Sequence, residues 1–380
     1  MKILYITNYD TMGGANHSLL GMMRILKDKY EVEPSLLVPG GGIIGKKCEE
    51  IGIKVYKYDF RITYIDGKER HPKLKKITRR VMRYTDFYRI LKHLRNSNEQ
   101  FDLIHSNSSI FDIGFFLANK LGTSHIWHMR EYGAQDYELY PTQSIKQMVK
   151  QYNRSYMIAI SQAIKDKLLK MGCDGDHISL IYNGVRIPEA YKKEYNVGNI
   201  YNFCIVGGIL KGKNQLDVVN ACKLLWDKGY SNFNLHIVGD GDKDYRERII
   251  SVCGTGEFSK HVIMLGRTND VYEILRSMDI GIMASSFEAF GRVTVEYMAN
   301  YMPVIATDSG ANLELVDDVR NIFKVHDINR LAEIMEEYVS NKRTMSKEGF
   351  LARKKAEAFS EEKNAENVYD LYKSVKGIKL

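Results

Sequence analysis

No apolar run in this 380-residue chain approaches the ~20 residues needed to cross a bilayer, and there is no Cys-x-x-Cys pair, internal repeat or low-complexity tract. The first absence argues against a membrane-spanning helix. The chain opens on Lys2-Ile3-Leu4-Tyr5-Ile6, a strand pattern rather than a signal peptide, so the expected compartment is the cytoplasm. Five cysteines (Cys48, Cys173, Cys204, Cys222 and Cys253) lie far apart with no histidines at zinc spacing, and read as small core residues of a reducing compartment.

Phosphate-loop motifs are also incomplete. Gly207-Gly208-Ile209-Leu210-Lys211-Gly212-Lys213-Asn214 has the Gly-x4-Gly-Lys spacing, but Asn stands where a P-loop needs a hydroxyl for magnesium. Gly40 to Lys46 repeats the spacing and is followed by Lys47. After the first strand, Thr11-Met12-Gly13-Gly14-Ala15-Asn16 lacks the third glycine of a dinucleotide fingerprint. Two Asp-Gly-Asp triplets, Asp174–Asp176 and Asp240–Asp242, read as turns, and no catalytic metal is expected.

What is present is an alternation. Hydrophobic content of 44% and charged content of 27% suit a globular enzyme, and the length suits two domains. Short apolar strands at Ile3–Ile6, Glu33–Val38, Lys54–Tyr58, Asp102–His105, Ser124–His128, Tyr156–Ile160 and Ile178–Tyr182 are separated by helical patterns, which predicts a doubly wound parallel sheet over residues 1–185. A polar stretch from about Val185 to Asn202 reads as a linker. The pattern restarts at Phe203–Val206, Asn234–Val238, Val262–Leu265, Ile280–Ala284 and Val304–Thr307, a second α/β domain over 186–360, and Glu361–Leu380 reads as a final helix. Ligands are expected in a cleft at the carboxyl ends of these strands.

The most specific segment follows Ile280–Ala284. Ser285-Ser286-Phe287-Glu288-Ala289-Phe290-Gly291-Arg292-Val293-Thr294-Val295-Glu296 is a strand, acidic loop and helix start, with an apolar helix face expected at Val293, Val295, Met298 and Ala299. Amides at such a start can hold phosphate, and Glu288 and Glu296 can accept hydroxyl hydrogen bonds, a combination suited to a phosphorylated sugar. The plain alternative places Glu288 near a cap and Glu296 on a solvated face. The segment continues through Val304–Thr307 to a polar loop ending at Glu314.

Together these residues resemble the donor-binding region of retaining nucleotide-sugar glycosyltransferases of family 4, which share the two-domain GT-B fold. The resemblance implies two Rossmann-like domains across a cleft, with the final helix crossing back to the first. It implies that Glu288 binds sugar hydroxyls, that Ala289, Phe290 and Gly291 approach the diphosphate with Arg292, that Glu296 holds the ribose, and that Lys213 stabilises the departing diphosphate. The usual arginine of that clamp falls at Gly208, a departure that leaves Arg292 or Lys211 to supply the charge, and Tyr301 stands where a small residue is usual. Gly13-Gly14 would approach the donor phosphates and the acceptor, and by position the loop around Gly266-Arg267-Thr268 is expected to contact the base. His128, at a strand end, occupies the position of an active-site histidine, with Arg130 and Glu131 as acceptor-side candidates.

The implied reaction moves a hexose-type sugar from a UDP- or GDP-type donor to an acceptor hydroxyl, without a metal and with retention. The acceptor would be a glycan or lipid-linked glycan of cell-surface polysaccharide. A nucleotide-sugar epimerase and an inactive binding subunit are the alternatives. Between Lys68 and Arg95 lie eleven Lys/Arg against Glu69 and Asp86, interleaved with Leu74, Ile77, Val81, Tyr84, Tyr88 and Leu91 at helical spacing. This segment is expected to touch anionic lipid on the inner face of the cytoplasmic membrane, with a solvated helix face as the alternative. Nucleic acid is not an expected partner, because no binding motif accompanies the charge.

Overall fold

The computed structural model describes residues 1–66, 72–133, 139–195, 200–268 and 270–376. The basic residues Lys68 and Arg70 therefore lie outside the described residues, as do positions 377–380 of the expected final helix. The chain divides into two compact units, Met1–Gly184 with the segment from Glu361, and Val185–Ser360.

In the first unit, β1 (Lys2–Ile6), β2 (Glu33–Val38), β3 (Lys54–Lys57), β5 (Leu103–Ser106), β6 (Ser124–Met129), β8 (Tyr156–Ala159) and β9 (Ile178–Leu180) form one parallel sheet in the order β3-β2-β1-β5-β6-β8-β9. Order reverses between β1 and β5, the place where the carboxyl-end loops diverge and leave a crevice. A short antiparallel pair, β4 (Tyr64–Asp66) with β7 (Leu139–Pro141), was not legible in the sequence because it joins two three-residue segments from distant loops.

Helix Gly14–Lys29 packs beside helix Glu361–Val375, and the approach is tight: a Cβ on Gly21 would sit 2.3 Å from Glu361 Oε1. Arg24 bonds the same carboxylate at 3.2 Å. Val368, Tyr372 and Val375 of the last helix are fully buried in the core with Ile3, Tyr5 and Leu19.

In the second unit, β10 (Tyr201–Val206), β11 (Phe233–Val238), β12 (Val262–Gly266), β13 (Ile280–Met283), β14 (Val304–Thr307) and β15 (Ile322–Phe323) form a parallel sheet ordered β12-β11-β10-β13-β14-β15. Its switch point lies between β10 and β13. Strands such as Ile280–Met283 are buried along their whole length, as expected where helices cover both faces.

Over residues 185–195 the expected linker is instead a packed strap on this unit. Val185 is fully buried, with its amide on Phe359 O at 2.9 Å. Tyr191 Oη lies 3.2 Å from Asn300 O, Lys193 Nζ 2.9 Å from Leu275 O, and Tyr195 Oη donates to Tyr301 O at 2.6 Å. A composition-based reading missed this because the segment binds through tyrosine and lysine tips to backbone carbonyls, which leaves no periodic apolar signal.

Candidate functional site

Each unit gathers a cluster at the carboxyl ends of its strands. In the second unit the cluster is built by cross-stitching the loops after β10 and β13. Asn214, in the left-handed conformation at φ 53°, sends its side-chain amide to Ala284 O at 2.8 Å and Ser286 Oγ at 2.9 Å. Ser286 N donates to Gly212 O at 2.9 Å, and Gln215 reaches back to Gly208 O at 2.9 Å. The asparagine that fails the P-loop pattern is thus the residue that ties these loops together.

This stitching brings Lys213 Nζ within 3.1 Å of Glu288 Oε2. The other carboxylate oxygen of Glu288 accepts from Gly291 N at 3.0 Å, and Ala311 N donates to Glu288 O at 3.0 Å. Glu288 therefore serves both as a local cap and as partner of the lysine. Gly291 has φ 84°, a conformation costly for other residues, and starts helix Arg292–Ala299.

That helix is not amphipathic in the expected way. Thr294 through Ala299 are all buried, Glu296 among them. The Glu296 carboxylate pairs with Arg292 Nε at 3.2 Å, and burial pushes it above the usual carboxylate range, opposed by Arg292. The solvated-face alternative for Glu296 is overturned by this burial. Phe290 is buried against Phe359, with ring centres 5.9 Å apart.

Gly208 lies in the turn after β10. The nearest atoms a Cβ there would meet are those of the Leu210 side chain, at 3.5 Å, and Asp240 O, at 3.8 Å, both ordinary contacts, so the missing arginine reflects no lack of room for its first atom. Gly239 approaches so closely that its Cβ would fall 1.9 Å from Gly207 O, and its amide donates to Gly266 O at 2.8 Å. Arg267, exposed just past β12, is thereby placed two strands along the same sheet edge from Lys213.

In the first unit Gly13 and Gly14 are exposed at the start of helix Gly14–Lys29, and a Cβ on Gly13 would meet nothing within 4 Å among the described residues. Asn16 shapes the loop by donating to Tyr9 O and Thr11 O at 2.8 and 2.7 Å. Asn107, after β5, reaches Ala15 O at 3.4 Å and accepts from Arg130 Nε at 2.7 Å. Arg130 also bonds Asn183 Oδ1 at 2.5 Å and approaches His128 Nδ1 at 3.3 Å.

His128 lies in β6, fully buried, and burial together with Arg130 holds its imidazole well below the usual value. Its Nε2 is buried without a hydrogen-bond partner among the described residues. Glu131 is buried and bonded by Ser108 Oγ and by Ser109 Oγ, the latter at 3.2 Å; burial raises its pKa. Asn107, Asn183, Ser108 and Ser109 escaped the sequence reading, since single polar residues after strands carry no spacing signal.

The near-motifs have structural duties. The amides of Ile43 and Ile44, after Gly40-Gly41, are satisfied by Asp10 O at 2.8 and 3.2 Å. Asp174 accepts from Asp176 N at 3.1 Å, and Asp242 caps helix Lys243–Cys253 through Tyr245 N at 2.7 Å. Tyr301 adopts φ 58° and lies under Arg353, 5.3 Å from guanidinium to ring centre.

The model described as Glycosyltransferase Family 4 matches residues 13–187, and that described as Glycosyl transferases group 1 matches 189–364. An uncharacterized glycosyltransferase of Methanocaldococcus jannaschii is 30% identical over 368 residues, covering 90% of this chain and 97% of that one. The chain belongs to glycosyltransferase family 4.

This glycosyltransferase is also similar to a capsular polysaccharide biosynthesis glycosyltransferase, CapH, of Staphylococcus aureus, at 20% identity over 83% of each chain. An Escherichia coli relative, UDP-Gal:alpha-D-GlcNAc-diphosphoundecaprenol alpha-1,3-galactosyltransferase, is 25% identical over 75% of this chain and 77% of its own. Among solved structures, Anabaena HepE in complex with UDP has a TM-score of 0.80 at 19% identity, covering 98% of this chain and all of that one. The outer-core galactosyltransferase WaaB has a TM-score of 0.72 at 17% identity over 98% of this chain and 99% of that one. The fold is GT-B.

Proposed function

We propose that this glycosyltransferase moves a hexose-type sugar from a nucleotide diphosphate to the hydroxyl of a glycan or lipid-linked glycan, with retention and without a metal. The observation that carries the reading is the Lys213–Glu288 pair at 3.1 Å. A nucleotide sugar joins its diphosphate directly to its sugar, so a cation for the one must adjoin a hydroxyl acceptor for the other. Lys213 supplies the cation where negative charge grows as the bond to the anomeric carbon breaks. Glu288 accepts from sugar hydroxyls. Glu296 takes the ribose, and Arg267 lies toward the base.

In the same-face displacement, the acceptor oxygen bonds to the anomeric carbon as the bond to the leaving phosphate breaks, and the acceptor proton passes to a phosphate oxygen. Of the first unit's residues, His128 is assigned a hydrogen bond to the transferred sugar or the acceptor, and Arg130 and Glu131 are assigned to the acceptor. Relatives named for capsule and diphosphoundecaprenol glycan synthesis, and the HepE complexes with UDP and UDP-glucose, support a sugar donor of this class and a cell-surface acceptor.

The helix Pro72–Asn96 bears on a lipid-linked acceptor. Ile77, Val81, Tyr84 and Tyr88 are 52–62% exposed along one face, flanked by exposed Arg80, Lys92 and Arg95. Not all the basic charge is available: Arg83 pairs with Asp112 at 3.1 Å, and Arg79 and Arg89 bond the carbonyls of Tyr64 and Asp59. An apolar stripe edged by cations suits an anionic lipid surface.

A panel of nucleotide sugars screened by thermal shift, followed by transfer to lipid-linked glycans with the product anomer read by NMR, tests the reading. One donor should raise the melting temperature with concentration and give a product of retained configuration. An inverted product overturns retention. Conversion of the sugar with no acceptor present indicates an epimerase, and binding without turnover indicates an inactive subunit.

A further inference from the structure

Four buried side chains from four distant segments form one hydrogen-bonded row in the first unit. Tyr5 Oη lies 3.3 Å from Tyr372 Oη, which lies 2.7 Å from His105 Nδ1; His105 Nε2 in turn lies 3.0 Å from His128 Nδ1. All four are fully buried. The row ends at Arg130, whose Nη2 is 3.3 Å from the same His128 Nδ1 and whose guanidinium is held in place by Asn107 and Asn183.

A guanidinium only donates hydrogen bonds. With Arg130 aimed at His128 Nδ1, that nitrogen must be the acceptor. The Nε2–H of His105 then also donates to it, which leaves His105 Nδ1 to accept from Tyr372 Oη–H. Burial and the nearby guanidinium hold both imidazoles well below their usual pKa, so each carries a single ring proton. For His128 the position left is Nε2, the atom with no partner among the described residues.

We propose that Arg130, His105 and Tyr372 are positioning residues that lock His128 as the neutral Nε2–H tautomer, so that it offers a hydrogen-bond donor to a substrate oxygen and cannot serve there as a general base. The identity of that oxygen, on the transferred sugar or the acceptor, rests on the sugar-transfer reading; the tautomer does not. The final helix, through Tyr372, thereby sets the chemistry of a residue in β6.

The test is a long-range proton–nitrogen NMR correlation on the full chain labelled with 15N-histidine, at neutral pH, with the His128 signals identified by their loss in His128→Gln. Wild type should show the Nε2–H pattern at both His105 and His128. Tyr372→Phe should introduce an Nδ1–H fraction at His105, with circular dichroism confirming the fold. An Nδ1–H or doubly protonated His128 in wild type overturns the proposal, and an unaltered spectrum in Tyr372→Phe removes Tyr372 from it.

With the donor found by the panel, His128→Gln, whose amide can donate from a similar position, should keep kcat/KM within about tenfold, whereas His128→Glu should lose about a hundredfold or more. Equal activity of the two overturns the donor role. Absence of any sugar transfer would sink the functional reading while leaving the NMR result to stand or fall alone.

Discussion

Lys213 and Glu288 stand 75 residues apart in the chain and 3.1 Å apart in the fold, joined because β10 and β13 are neighbours at the switch point of their sheet. The pair is partly exposed, with 37% of the lysine side chain and 15% of the glutamate open to solvent, so it adds little to stability.

Lys213→Ala should lower kcat by about a hundredfold to a thousandfold, because the departing diphosphate loses its cation. Glu288→Gln, which keeps the shape, should cost about tenfold or more in kcat with little change in donor affinity. Steady-state kinetics on both variants checks this; a pure KM effect in Lys213→Ala would remove leaving-group stabilisation from its role.

Glu296→Ala should weaken donor binding by about tenfold in calorimetry, and unchanged affinity would sink the ribose assignment. The same residue has a stability signature. Its pKa is raised above the ordinary 4.5 in the folded chain, mainly by burial, so folding favours its protonated form. Its contribution is most favourable below pH 4.5 and is lost as pH rises through the higher folded value. Urea unfolding of wild type relative to Glu296→Gln should show the wild type losing relative stability over that rise.

Gly208→Arg should fold with a melting temperature close to wild type, since a Cβ there meets only ordinary contacts and the position lacks a left-handed φ. If Glu288 and Lys213 hold the donor, the added guanidinium, at the carboxyl end of β10 like Lys213, should tighten UDP or GDP binding by several-fold, measured by calorimetry.

Gly281→Ala should destabilise the chain by about 1–3 kcal/mol in urea unfolding, because the new methyl would sit 2.3 Å from the Tyr297 ring in a fully buried strand. Tyr297 also accepts the Val206 amide at 2.7 Å, so displacing it disturbs β10 as well.

Replacing Ile77, Val81, Tyr84 and Tyr88 together by serine should abolish co-sedimentation with vesicles rich in anionic lipid while leaving turnover of a soluble acceptor intact. Binding that survives the change but disappears in high salt would assign the interaction to charge alone.

Much of the fold was legible. The helix Gln162–Met171 and the strand Val304–Thr307 match their expected bounds, and most other strands fall within a residue or two, because burial on both faces leaves continuous apolar runs. The β4–β7 pair and the strap from Val185 were not legible, since their partners are backbone groups far away in sequence. Among the candidate residues, Glu288, Lys213, His128 and Arg130 are named by position in the sequence, whereas the hydrogen bonds of Asn214 to Ala284 and Ser286, and of Asn107 and Asn183 to Arg130, carry no spacing signal.

The sequence by itself determined two doubly wound units and the glycosyltransferase family, because strand and helix periodicity and loop motifs are local properties of a chain. Only the tertiary structure decided that Glu296 is buried against Arg292, that Lys213 meets Glu288, and that Tyr372 reaches His105 across 267 residues. Which polar atom meets which depends on strand order and packing, and a buried polar group must find its partner wherever the fold places one.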